Sequence, residues 1–145
     1  MRALWSVKDR LLYFVEYVVA VSVILAMSAN SKVFLLAPPY AVSAYLVLVE
    51  RGTKFSKPSG LTASYIFAIS SSEAIHVLLG PSIASMIINV FAVSAFIMLT
   101  KYSHPPAIAL TIFSYLRFSD VLFVTSSFAA LGIIVLIYAI DSRLR

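Results

Sequence analysis

Residues 121–140 read VLFVTSSFAALGIIVLIYAI, a run without a single charge. At about 1.5 Å of rise per residue, a helix of this length covers the roughly 30 Å of hydrocarbon in a bilayer. Three further runs pass the same test: Leu11–Ala29, Leu61–Leu79 and Ser82–Thr100. Composition points the same way. Of 145 residues 61% are apolar and 12% are charged. Eleven Lys and Arg with six Asp and Glu are too few to cover a small soluble globule. A soluble enzyme, a nucleic-acid-binding module and a disordered tail are therefore disfavoured. There is no cysteine, so disulfides, thiolate metal sites and cysteine nucleophiles are excluded.

Two more apolar runs are shorter and carry proline pairs, Pro38–Pro39 and Pro105–Pro106. Proline breaks a helix interior but is tolerated in the first turn. Each pair therefore reads as a helix start, over Pro39–Glu50 and Pro106–Arg117. Gly80–Pro81 reads as a tight turn.

The basic residues decide whether the short pieces cross. With six crossings, Arg2, Lys8, Arg10, Arg51, Lys54, Lys57, Lys101, Arg143 and Arg145 share one side, against Lys32 and Arg117. If the short pieces returned to the side they entered from, the basic residues would divide almost evenly. The bias of basic loops toward the cytoplasm favours six crossings. The expected fold is an all-α membrane protein with four full spans and two short proline-started helices. It forms one transmembrane domain over residues 1–145. The expected location is the cell membrane, multi-pass, with both termini cytoplasmic. The order long–short–long occurs twice, over residues 11–79 and 82–140, which reads as an inverted 3+3 repeat. Such repeats with interrupted elements at matching positions are a pointer to a transport site near the midplane.

The stretch Met98-Leu99-Thr100-Lys101-Tyr102-Ser103-His104-Pro105-Pro106-Ala107-Ile108-Ala109 resembles the signature of the HPP family of integral membrane proteins. Pro39-Tyr40-Ala41-Val42-Ser43-Ala44-Tyr45-Leu46-Val47-Leu48 is similar to that family's small-residue segment, and Ser56-Lys57-Pro58 to its following loop. The resemblance covers residues 34 to 140. Ala107 and Ile108 stand where the family has a glycine pair, Pro58-Ser59 where it tends to Pro-Arg, and Tyr65 where it has a histidine. The resemblance implies a small multi-span protein in a family whose plant plastid members are linked to nitrite transport.

The candidate binding residues lie at the two proline-started helices. His104, Pro105 and Pro106 precede amides at Ala107, Ile108 and Ala109. If free, those amides and the helix dipole would hold an anion. Pro39, Tyr40, Ala41 and Ser43 offer the same chemistry in the other half, with close helix packing as the competing use. Glu73 and His76 share one helix face and can bond each other, which suits a proton relay. Asn89, near the centre of a span, is a pore-lining candidate or a bond between helices. Glu16 reads as an interfacial or helix-pairing residue. Arg51, Lys54 and Lys57 read as a loop touching anionic headgroups, and Asp120 and Asp141 as boundary charges. Trp5, Tyr13, Tyr17, Tyr102, Tyr115 and Tyr138 read as an interfacial aromatic belt.

The expected function is passage of a small solute, a small inorganic anion such as nitrite, through a homo-oligomer. The alternative is a structural or regulatory subunit that binds another membrane protein. Neither an enzyme, a metal, a cofactor nor a nucleic-acid partner is expected.

Overall fold

A computed structural model of the chain describes residues 6–30, 38–117 and 121–144. Trp5, Lys32, Asp120, Arg2 and Arg145, and the side chain of Arg117, lie outside what is described. The described residues form six helices and no strand: α1 (Val7–Asn30), α2 (Pro38–Leu48), α3 (Pro58–Leu79), α4 (Ile83–Leu99), α5 (Pro106–Arg117) and α6 (Val121–Leu144). Two of them, α3 and α6 over Val121–Arg143, are long and apolar enough to cross a membrane by length and composition. At 17 residues α4 is shorter, about 25 Å at the usual rise.

Prolines and caps set the ends. α2, α3 and α5 each begin on proline, whose missing amide costs nothing in a first turn. Ser82 caps α4, accepting from the Ser85 amide while Ser85 Oγ accepts from the Ser82 amide. Gly80 ends α3 at φ 72°, where a side chain would be strained, and its amide bonds the His76 carbonyl.

α1 packs on α2 and α6, while α4 packs on α3 and α5. Contacts of α2 with α5 and α6, and of α3 with α5 and α6, join these groups. The core holds Tyr40, Leu48, Leu61, Tyr65, Leu110, Phe123 and Ile134, all but fully buried. Outward faces are apolar: Ile83, Ile87, Phe91 and Met98 on α4 and Val77 and Leu78 on α3 are exposed.

Side-chain bonds fix which helix ends lie together. Arg51, just past α2, bonds Glu16 of α1 at 2.6 Å and Asp141 near the end of α6. His104, just before α5, bonds the Phe55 carbonyl in the α2–α3 connection at 2.9 Å. Ser64 of α3 donates to the Tyr102 carbonyl at 2.7 Å. A Cβ at Gly60 would stand 3.3 Å from the Ser103 carbonyl oxygen, so this glycine lets the α4–α5 connection lie close. The start of α1, both of these connections and the end of α6 thus share one end of the bundle. At the other end Tyr115 of α5 donates to the Ser85 carbonyl of α4 at 3.2 Å. The short α5 therefore runs between the ends and does not turn back.

Candidate functional site

Two buried polar groups occupy the bundle. The first is centred on His104, which is fully buried in the α4–α5 connection. The Phe55 carbonyl can only accept, so Nδ1 carries the proton and Nε2 is left as an acceptor. Ser43 Oγ, 2.8 Å from Nε2, must then donate to it. Tyr65 in turn donates to Ser43 at 2.7 Å, with the Pro39 carbonyl 3.2 Å from the same hydroxyl. Tyr40 meets Ser127 of α6 at 2.9 Å. Burial, partly offset by the Phe55 bond, pushes the His104 imidazole down to about 4. At neutral pH the ring is uncharged.

This chain brings His104, Ser43 and Pro39 together, as the two proline-started helices imply, but it is closed. The Ala107 amide donates to the His104 carbonyl at 3.1 Å, and Ile108 to the Pro105 carbonyl at 3.0 Å. The expectation of free amides at these two positions is corrected. After two prolines without N–H groups, the first turn tightens and uses the next donors itself. Ala109 is exposed on the outer face, whereas Pro106 and Ala107 are buried. Pro105 is exposed, and Ala41 is half-buried beside fully buried Ala44.

The second group lies between α3, α4 and α5. Fully buried Asn89 donates to Ser72 Oγ at 2.9 Å. His76 sets its ring edge-on to Tyr115, with 4.2 Å between centroids. Glu73 Oε1, both His76 nitrogens and Asn89 Oδ1 are buried with no hydrogen-bond partner among the described residues. The expected bond between Glu73 and His76 is therefore absent. Their spacing puts them on one face, but the imidazole turns to α5.

Arg51 departs from the headgroup-facing loop cation that the sequence predicts. It does not reach headgroups as a loop cation but lies 13% exposed between Glu16 and Asp141. Tyr13 and Tyr138 cover its guanidinium, with ring centres at 4.4 and 5.1 Å. Asp141 is thus an ion-pair partner, not a loose boundary charge, and Glu16 pairs with the neighbouring arginine. Tyr13, Tyr138 and Tyr115 are packed inside the bundle's own contacts, while Tyr17 meets Tyr45 edge-on at 5.6 Å. The sequence marks Ser127 only as a helix contact, Phe55 only as part of the basic loop and Tyr65 only as a departure from the family histidine; the fold gives them Tyr40, His104 and Ser43 as partners.

The family model described as HPP, transmembrane region, matches residues 3–142. No curated protein and no solved structure matches the chain.

Proposed function

Because the chain belongs to the HPP family of transmembrane proteins, we propose that it passes a small solute across the membrane at the contact of its two short helices, α2 and α5. The observation that carries this reading is the pattern of packing. Exchanging α1 with α4, α2 with α5 and α3 with α6 turns α1–α2 into α4–α5, α1–α6 into α4–α3 and α2–α6 into α5–α3. The α2–α5 and α3–α6 contacts map onto themselves. The slight α2–α3 contact lacks a counterpart of its size, and α1–α6 is much the slimmer of its exchanged pair. An inverted 3+3 repeat has this pattern, and its short elements meet on the axis of exchange, where transport sites are built.

In this reading all six helices cross. The end bearing exposed Lys8, Arg10, Lys54, Lys57, Lys101 and Arg143 faces the cytoplasm, following the positive-inside bias. Six helices leave little room for a wide aqueous path, so the working form is a homo-oligomer. The narrower proposal is a small inorganic anion such as nitrite. With two amides spent, the support for an anion is the partial positive charge at the start of α5, beside which His104 meets Ser43 of α2. The Tyr65 hydroxyl donates to Ser43, which donates to His104, so the body of α2 and the start of α5 are joined through α3.

The test is flux of nitrite, nitrate, chloride or formate into proteoliposomes. The expected result is uptake above empty vesicles for at least one of them, reduced by Ala107→Leu, which fills the fully buried side of α5. No uptake of any overturns the anion version.

A further inference from the structure

The unpartnered atoms between α3, α4 and α5 define a ligand by what they lack. Glu73 Oε1 and Asn89 Oδ1 can only accept, and a neutral imidazole offers one acceptor and one donor. The Asn89 amide nitrogen is already committed to Ser72, and the side chain also reaches the Tyr115 hydroxyl, which itself donates to Ser85. What remains open is therefore mostly acceptor. The ion pairs among the described residues both belong to Arg51, so none of them neutralises Glu73. A carboxylate inside a membrane protein requires compensation by charge or by a proton.

We infer that Glu73, His76 and Asn89 form a binding site for a small monovalent cation that donates hydrogen bonds, of which ammonium is the simplest. Asn89 of α4 is fully buried and bonds Ser72, one turn before His76 on α3, while half-buried His76 packs on Tyr115 of α5, so acceptors from two helices border one contact. The charge of Glu73 supplies attraction, while Asn89 Oδ1 and a His76 lone pair supply direction. An anion meets the wrong sign here. Divalent metals favour several charged ligands, and the described residues contain no group of three His, Cys, Asp or Glu that could hold one. Potassium has the charge but no N–H groups to satisfy directional acceptors. The site is separate from the α2–α5 contact and does not depend on which solute passes there.

The test uses the full chain purified in detergent, with thermal unfolding and calorimetric titration in ammonium chloride against potassium chloride at matched ionic strength. Ammonium is expected to raise Tm above the potassium value and to titrate saturably. Glu73→Gln, which keeps the shape and removes the charge, is expected to weaken apparent ammonium affinity about tenfold or more, as loss of a charge-assisted bond does. The comparison of two salts on the unaltered chain remains decisive even where a variant folds poorly. Equal response to the two salts overturns the inference, as does an unchanged ammonium affinity in a folded Glu73→Gln. Sodium nitrite raising Tm in a manner lost in Glu73→Gln also overturns it. Ammonium binding without solute flux leaves this site standing and removes the passage reading. Flux without ammonium preference does the reverse.

Discussion

Replacing Arg51 by Met tests the charge cluster that joins three parts of the chain. The arginine is 13% exposed, Glu16 14% and Asp141 9%, so all three are largely out of water. Removing one partner from a buried ionic group costs about 3–5 kcal/mol, because the charge left behind is uncompensated. Here Glu16 and Asp141 both lose the guanidinium. The lost stacking on Tyr13 and Tyr138 adds about 1 kcal/mol. At about 3 °C per kcal/mol for a chain of this size, Arg51→Met is expected to lower Tm by roughly 10 °C or more. The assay is thermal unfolding of the purified protein in detergent, with Lys54→Met as an exposed control. The triple change Arg51→Met, Glu16→Gln and Asp141→Asn removes every charge of the cluster and is expected to recover more than half of the loss. A single variant that matches the control refutes the claim that these charges are buried together. A triple variant as unstable as the single one refutes the electrostatic explanation and leaves only packing.

Two further outcomes follow from the His104 chain. In the fold the imidazole titrates near 4, against 6.5 when free. The unfolded chain therefore binds the extra proton first, so stability is complete above about pH 6.5 and falls as the pH drops toward 4. The full effect is on the order of 3 kcal/mol. His104→Gln is expected to flatten that part of the pH–Tm curve; a curve that keeps its slope refutes the assignment. Tyr65→Phe and Ser43→Ala each remove a link, at about 1–2 kcal/mol. In a double-mutant cycle they are expected to couple by at least about 0.5 kcal/mol, and strict additivity would show that the links act separately.

The helix ends were legible because proline, serine and glycine mark them chemically. The start predicted at Pro106 is where α5 begins, the start predicted at Pro39 moves by one residue, and Gly80 ends α3 at positive φ. The faces were not legible. A soluble helix reveals its buried side by an apolar stripe, but spans such as α6 are apolar all round. Which side of α3 meets α2 was therefore hidden, and with it the meeting of Tyr65 and Ser43. Arg51 misled for a related reason. It sits in a basic loop with Lys54 and Lys57, and sequence spacing cannot show that its acids come from 35 residues before and 90 residues after it. Glu73, His76 and Asn89 stand out in the sequence because polar groups are conspicuous in apolar runs. Their proximity to Tyr115 required the fold.

The same separations give the cluster a place in the order of synthesis. Glu16 emerges first, and its carboxylate has to wait through the making of α2 before Arg51 can neutralise it. Asp141 arrives only when α6 is nearly complete. An interrupted chain would hold the arginine by one acid and expose the faces of α2 and α3 that α6 covers. Joining of the early, middle and late parts of the chain is thus registered at one point.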